Sequence, residues 1–330
     1  MNCKNKPFIL SPVGKDYLWG GTLLKEEFDK KTEISPLAES WECSTHSDGI
    51  SIVKSGNFAG KNLKDVLIEH PEFLGTHPKT KDEIPILIKF IDAKEKLSVQ
   101  VHPNDEYALE HENGSLGKTE MWYVVDAKPG AELVYGFYRD VDRKTVQKSL
   151  EKGTIEKYLQ KIKVKKDDIF YIEAGTVHAI GAGILIAEIQ QNSNLTYRLY
   201  DYNRKDKNGK KRELHIEKAL DVMNYKGGTL PRQPMRILRY APGCASEFLC
   251  RCQYFQVERM LINNKDIKKE LVMETGSNSF QVLLCLDGEA VLTDDYGESL
   301  EFKKGDCIFI PANSVRLVLK GNTQIIRTSC

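Results

Sequence analysis

The sequence has almost no net charge: 48 basic side chains face 47 acidic ones over 330 residues, a formal balance of +1. A chain so balanced has no global field for gripping a polyanion, so no nucleic-acid partner is expected, although a local basic pocket stays open. Long apolar runs are missing too. None approaches the roughly 20 residues of a membrane span, and Met1 to Leu10 lacks the apolar core of a secretion signal. No membrane partner is therefore expected. The eight cysteines (Cys3, Cys43, Cys244, Cys250, Cys252, Cys285, Cys307, Cys330) include no CxxC pair. Without a secretion signal they read as reduced thiols of a cytoplasmic protein. Cys250 and Cys252, two apart, read as small hydrophobes on one strand face. Biased tracts are absent, and 41% hydrophobic with 29% charged residues is an ordinary globular composition.

Short β-type runs are what the chain does have. Pro85 to Ile91, Leu97 to Val101, Met121 to Val125, Ile169 to Ile172 and Gly183 to Ile189 are rich in branched and aromatic residues. Beyond Pro234 the pattern resumes at Phe255 to Leu261, Ser279 to Leu286, Glu289 to Thr293, Cys307 to Ile310, Val315 to Leu319 and Gln324 to Thr328. Asp287-Gly288, Tyr296-Gly297 and Lys304-Gly305 supply turn signals between them. Many short, evenly spaced strands predict a mainly β protein of sandwich or barrel type. Helical spacing of apolar residues predicts only a few helices, at about 61–75, 139–162 and 214–225. Lys205-Asp-Lys-Asn-Gly-Lys-Lys-Arg212 centres on an Asn-Gly pair among charges and reads as a solvated hairpin tip.

An internal repeat organises these strands. Lys165-Lys-Asp-Asp-Ile-Phe-Tyr-Ile-Glu-Ala-Gly-Thr-Val-His-Ala-Ile-Gly-Ala-Gly183 aligns without gaps with Lys303-Lys-Gly-Asp-Cys-Ile-Phe-Ile-Pro-Ala-Asn-Ser-Val-Arg-Leu-Val-Leu-Lys-Gly321, at a constant offset of 138 and with seven of nineteen positions identical. Such a repeat implies two copies of one β unit, here residues 1–234 and 235–330. The copies differ at one chemically important place: His178 aligns with Arg316. A metal is expected in the first unit only.

Gln100 and His102 lie two apart on a predicted strand and so project to one face; Lys118 and Glu120 repeat that spacing. His178 follows a strand and a Gly-Thr turn. One amide oxygen, two imidazoles and one carboxylate suit a divalent ion of borderline hardness such as zinc, provided the three strands converge inside a barrel. A lone strand histidine is more often a hydrogen-bonded structural residue, and His46, His70, His77, His111 and His215 have no comparable company. Trp19 and Trp41 fit core packing as well as sugar stacking. A salt bridge from Arg198 to Asp201 or Glu188 explains that arginine nearly as well as a catalytic role.

Specific marks then appear: Tyr17-Leu-Trp-Gly20, Ala38-Glu-Ser-Trp-Glu42, Pro85-Ile-Leu-Ile-Lys89, Ser98-Val-Gln-Val-His-Pro-Asn-Asp105, Gly117-Lys-Thr-Glu120, Ala174-Gly-Thr-Val-His178 and Asn192-Ser-Asn-Leu-Thr-Tyr-Arg198. With these the chain resembles the type I mannose-6-phosphate isomerases of the cupin superfamily, in the short form without a large helical insert. The match runs from residue 7 to about 225. The resemblance implies two cupin-type (jelly-roll) β-barrels with a few helices, only the first binding metal. It implies one zinc ion per chain on Gln100, His102, Glu120 and His178, with a small-molecule hexose phosphate as partner. Arg198 and Lys118 fall on catalytic positions. Lys89, Ser98, Glu188 and Trp19 fall on substrate-binding ones, Lys89 being the expected phosphate contact. The implied activity is reversible aldose–ketose isomerisation of mannose 6-phosphate and fructose 6-phosphate.

Two positions depart from the family pattern: Gly117 stands where larger members have a histidine, and Asn194 where an aspartate is common. Roles of those two side chains do not carry over. A cupin metal oxygenase and a sugar-phosphate-binding cupin without catalysis are the competing expectations. The Gln ligand and two pocket lysines disfavour the first, and the complete ligand set with Arg198 disfavours the second.

Overall fold

Runs of branched and aromatic residues become strands, and the computed structural model, which describes residues 5–80, 82–205, 208–231 and 237–330, orders them into three sheets of antiparallel ladders. The N-terminal part contributes β1 (Phe8–Ser11), β2 (Val13–Lys15), β3 (Glu39–Cys43), β4 (Ile52–Val53), β5 (Ile86–Ala93), β6 (Val99–Val101), β7 (Glu120–Ala127), β8 (Glu132–Phe137), β9 (Leu159–Lys163), β10 (Ile169–Ile172), β11 (His178–Ala179), β12 (Ile184–Gln191) and β13 (Tyr197–Tyr200). The C-terminal part adds β14 (Ile237–Ala241), β15 (Cys244–Arg251), β16 (Gln256–Asn263), β17 (Leu271–Met273), β18 (Gln281–Asp294), β19 (Ser299–Lys303), β20 (Cys307–Ile310) and β21 (Leu317–Ser329).

A six-stranded sheet, β10-β7-β12-β5-β3-β2, faces a five-stranded one, β13-β6-β11-β8-β9. Ile91, Trp122, Val124 and Ile186 of the first pack against Leu133 and Tyr135 of the second. The back of the six-stranded sheet is covered as well, where Ile88, Met121, Tyr123 and Ile189 meet Val282, Leu284 and Phe309 of the C-terminal sheet. Cover on both faces explains why β5 and β12 are buried along all eight residues. The two-residue period then sorts each strand. Lys89, Ile91, Trp122 and Glu188 line the cavity between the N-terminal sheets, while their chain neighbours fill the seam.

The ten-stranded sheet runs β14-β15-β16-β21-β18-β20-β1-β4, with β17 on β21 and β19 on β18, and wraps its own apolar core of Met260, Leu283, Leu292, Phe302 and Leu319. It takes two strands from the N-terminal part: Phe8, Ile9 and Leu10 pair with Phe309, Ile308 and Cys307. None of the three sheets closes on itself among the described residues, so the expected jelly-roll units are facing and curled sheets rather than closed barrels. The expected boundary at 234/235 lies outside the described residues, as do Cys3 and residues 206–207 of the charged hairpin. Lys205 and Lys211 pair antiparallel, as a hairpin requires. The seven described cysteines are free thiols. No described helix is long and apolar enough to cross a membrane.

The repeat has a physical cause. β10 and β20 occupy the same places in their copies, each entered by a turn with positive φ at Asp167 (71°) or Gly305 (92°). Asp168 Oδ2 accepts the Lys165 N–H at 2.9 Å, and Asp306 Oδ2 accepts the Lys303 N–H at 2.9 Å. These side-chain-to-backbone bonds need aspartate at that position in both copies.

Some sequence expectations change. The helix at 139–162 stops early: it covers Arg143–Glu151, Gly153 turns the chain at φ 63°, and Leu159–Lys163 is strand β9 rather than helix. Leu159 satisfied helical spacing by coincidence. The other two helices are present but shorter, as Leu63–Glu69 with a 3-10 turn at Pro71–Leu74, and as Ile216–Val222. An additional helix, Asp105–His111, starts where the Asn104 side chain accepts the Tyr107 N–H at 3.0 Å. Asp287-Gly288 does not reverse the chain. β18 runs through it with a register shift between Cys285 and Asp287, and a Cβ at Gly288 would lie 2.0 Å from the Asn322 carbonyl oxygen.

Candidate active site and metal centre

Three strands meet at the cavity. β6 carries Gln100 and leads into His102, β7 begins at Glu120, and β11 begins at His178. His178 pairs across the ladder with Gln100, as does Arg198 of β13 on the other side. One imidazole nitrogen each of His102 and His178 and one Glu120 oxygen lie within 4.8 Å of one another, and all three side chains are buried.

The donor set fits a metal ion. His102 Nδ1 is 2.7 Å from the Leu195 carbonyl and His178 Nδ1 is 2.8 Å from the Thr176 carbonyl. Each Nδ1 therefore carries the proton, leaving both Nε2 lone pairs aimed at the centre. Glu120 Oε2 is buried without a hydrogen-bond partner. Gln100 brings its amide to 3.3 Å from His178 Nε2, and a turn of that amide presents its oxygen. Two imidazoles, a carboxylate and an amide oxygen form a set typical of a borderline divalent ion.

Electrostatics agree with that reading. Burial pushes His102 down to about 3, helped by the Lys118 ammonium, and burial also lowers His178, so both rings are neutral and free to ligate. Burial alone would raise Glu120, yet the Lys118 ammonium holds it well below the ordinary carboxylate range. Lys118 Nζ donates to Glu120 Oε1 and stands 3.3 Å from His102 Nε2.

Beside this cluster opens a cavity of about 250 Å³ lined by Trp19, Lys89, Ser98, Gln100, Lys118, Glu188 and Arg198, with Tyr17, Glu39, Trp122, Asn194 and Arg212. Every side chain singled out from the sequence thus lies on this cavity or in the adjoining metal cluster. Trp19 has one edge on the cavity and is only 3% exposed, whereas Trp41 is fully buried and donates from Nε1 to Glu39 at 2.7 Å. Arg198 forms neither of the ion pairs that would have made it structural. Its guanidinium donates to the Glu213 carbonyl at 2.8 Å, and its Nε has no partner. Asp201 is taken by Arg204 and Arg212 instead, with Arg212 Nε at 2.8 Å.

Lys89 differs from expectation in its surroundings. Its ammonium lies 2.8 Å from Glu188 and 3.5 Å from Glu39. Burial works against the charge, but the two carboxylates outweigh it and raise its pKa. Burial and the charge of Glu120 push Glu188 up to about 7, with Lys89 pulling the other way. Trp122 Nε1 donates to Glu188 at 2.7 Å. Trp122 and Arg212 are the contributors that sequence reasoning missed. The first lies two residues beyond Glu120 on the same strand, a findable signal. The second sat inside a charge run and is brought to the cavity by the hairpin, which no local pattern announces. Asn194 lies at the rim and donates to Asp48 at 2.8 Å.

A cupin fold with a buried His-Glu-His cluster opening into a polar pocket rich in cations defines a metal-dependent enzyme that handles a small anionic substrate. Comparison narrows the class. The phosphomannose isomerase type I catalytic domain matches residues 8–119, and the mannose-6-phosphate isomerase cupin domain matches residues 245–330. The chain is 36% identical to mannose-6-phosphate isomerase ManA of Bacillus subtilis over 97% of its length and 98% of that protein. It is 35% identical to the mannose-6-phosphate isomerase of Streptococcus mutans over 97% of both. The crystal structure of the Bacillus subtilis mannose 6-phosphate isomerase superposes with a TM-score of 0.89 at 34% identity, covering 98% of this chain and 99% of that one. A variant of phosphomannose isomerase from Salmonella typhimurium shares the fold, with a TM-score of 0.76 at 17% identity over 98% of this chain and 99% of that one. The chain belongs to the type I mannose-6-phosphate isomerase family.

Proposed function

We propose that this enzyme interconverts mannose 6-phosphate and fructose 6-phosphate in the cytoplasm, using one zinc ion per chain held by Gln100, His102, Glu120 and His178. The observation that carries this is the buried His102–Glu120–His178 cluster, with its two inward Nε2 lone pairs and unpartnered Glu120 oxygen, beside a pocket lined by Lys118 and Arg198. The reaction moves a proton between C1 and C2 of one sugar, with an O–H proton passing the other way, so neither oxidant nor reductant is consumed. A divalent ion there supplies a Lewis acid for the sugar oxygens.

The chain's own residues divide the remaining work. Negative charge grows on the oxygens of C1 and C2, and Arg198 offers a permanently charged fork with an unused Nε donor to meet it. Lys118 Nζ carries a proton to and from those oxygens. Lys89 and Glu188 form a buried pair that orients sugar hydroxyls, and Trp19 packs against the ring. The phosphate dianion avoids the carboxylates around Lys89 and lies toward Ser98 and Arg212. Asp201 carries one charge between Arg204 and Arg212 and so leaves a positive surplus. Residues 1–234 hold this machinery. Residues 235–330 are expected to hold no metal, because Arg316, in the place of His178, pairs with Glu270 and Asp295 at the surface. Membership of the isomerase family does not favour an oxygenase reading.

The test is direct. Arg198→Ala should lower kcat by about 10²–10³-fold, as loss of a transition-state donor does, with zinc still bound at one per chain. A chelator should abolish turnover and added zinc restore it. Near-normal turnover in Arg198→Ala would remove the assignment.

A further inference from the structure

Gly117, Lys118 and Thr119 lead into Glu120 and are held from both sides. Lys118 N–H donates to the Pro103 carbonyl at 3.0 Å, and Thr119 N–H donates to Gln191 Oε1 at 2.8 Å. Asp105 joins these restraints: its Oδ1 accepts the Gly117 N–H at 2.8 Å and the Gln191 Nε2 amide at 2.8 Å. A carboxylate with both donors on one oxygen has its other oxygen to place. Asp105 Oδ2 accepts the hydroxyl of Tyr254 at 2.8 Å. Tyr254 belongs to the C-terminal half, in the tight connection between β15 and β16. That connection is closed by Cys252 N–H donating to the Phe255 carbonyl at 3.0 Å and by Tyr254 N–H reaching Cys252 Sγ at 3.5 Å.

We propose that Tyr254 is a positioning residue for the isomerase site, acting through Asp105 to fix the 117–120 segment and hence Lys118 and Glu120. It touches neither substrate nor metal; its effect passes through one carboxylate. The geometry makes the chain of action short, because Asp105 bonds the backbone one residue from Lys118. It also explains why residue 117 is glycine. A Cβ there would lie 2.4 Å from the Asn104 carbonyl carbon and 2.5 Å from the Asp105 nitrogen, so the segment lies directly on the Asn104-Asp105 corner that Tyr254 holds. Where only backbone fits, positioning from a neighbouring side chain replaces positioning by a side chain at 117. The half of the molecule without its own histidine thereby takes part in the reaction. This inference rests on the proposed roles of Lys118 and Glu120.

Tyr254→Phe removes one hydroxyl and leaves the ring to pack. Its kcat should fall about tenfold, and its zinc dissociation constant, read by competition with a chelator, should rise by a similar factor, at the low end of the roughly 10–100-fold losses seen for outer partners of a metal site. KM should stay within about twofold, because the substrate-binding groups are not moved. Asp105→Asn should show the same two losses, and Tyr254→Phe added to it should cost nothing more, since the tyrosine acts through that carboxylate. A Tyr254→Phe enzyme with kcat and zinc affinity both within about twofold of the parent would overturn the proposal. So would an additive loss in the double variant. Should Asp105→Asn not fold, the kcat-against-KM split and the zinc affinity of Tyr254→Phe decide alone. A parent enzyme without isomerase activity would instead count against the proposed function.

Discussion

Two neutral imidazoles buried beside one carboxylate are a strained arrangement for a protein without its ion, and pH exposes that strain. His102 is pushed down to about 3 and His178 is also lowered, by burial first in both cases. In the unfolded chain each histidine titrates near 6.5. Depressed pKa values contribute stability that is complete above about pH 6.5 and is lost as pH falls toward the folded values. The metal-free protein should therefore lose stability as pH falls below about 6, His102 contributing on the order of 1 kcal/mol per pH unit and His178 adding in the same direction. Urea midpoints of the chelated protein at several pH values give this slope, and His102→Gln should shrink it. No change in slope would mean that the imidazole is not buried neutral. Glu120→Gln should be worse than either histidine change, because it leaves the Lys118 ammonium buried without its carboxylate partner. Removal of one member of such a pair costs about 3–5 kcal/mol, and zinc content should drop with it.

Single strands were the most legible elements. Alternation alone places Gln100 with His102 and Lys118 with Glu120, and in the structure Gln100 and Lys118 line the cavity while His102 and Glu120 join the cluster beside it. β20 is legible to the residue, as Cys307–Ile310. Legibility fails where a long-range contact overrides a local signal. Gly153 ends a helix whose apolar spacing continues past it, and the Asp287-Gly288 pair becomes a bulge because β21 lies alongside β18 on both sides of it. Lys89 was legible as a pocket cation but not as a paired one, since Glu188 and Glu39 reach it from β12 and β3. Gly117 offers the sharpest test at this scale. Gly117→Ala forces a methyl into backbone atoms of Asn104 and Asp105 that cannot swing away. The expected cost is about 1–3 kcal/mol of stability, as for other overpacked sites. Because the strain falls next to Lys118, a kcat loss larger than the stability loss should accompany it in steady-state assays. A fully active Gly117→Ala enzyme would show that the segment has slack.

At the scale of the whole molecule, the seam between the halves resembles a domain interior more than a contact between neighbours. Phe8, Ile9 and Leu10 extend the C-terminal sheet, Ala312 N–H donates to the Phe73 carbonyl at 2.8 Å, and His77 N–H donates to the Asn278 carbonyl at 2.8 Å. Tyr123, next along β7 from the cavity-lining Trp122, accepts from Arg259 at 3.1 Å and from Gln324 at 2.7 Å. One apolar cluster includes Phe8, Met121, Phe280 and Ile326 together. Neither half can release the other without exposing that cluster, and the exposure costs far more than the few kcal/mol by which a domain is stable. The two units should therefore unfold in one step. All three tryptophans, Trp19, Trp41 and Trp122, lie in the N-terminal part, so indole fluorescence reports that half alone, while far-UV circular dichroism reports strands of both. Their denaturant transitions should coincide. Arg259→Ala, which cuts the Tyr123 contact and the 3.1 Å bridge to Asp167, should shift both midpoints down together. A fluorescence transition that stays in place while the dichroism moves would show that the halves fold independently and that the seam carries no coupling.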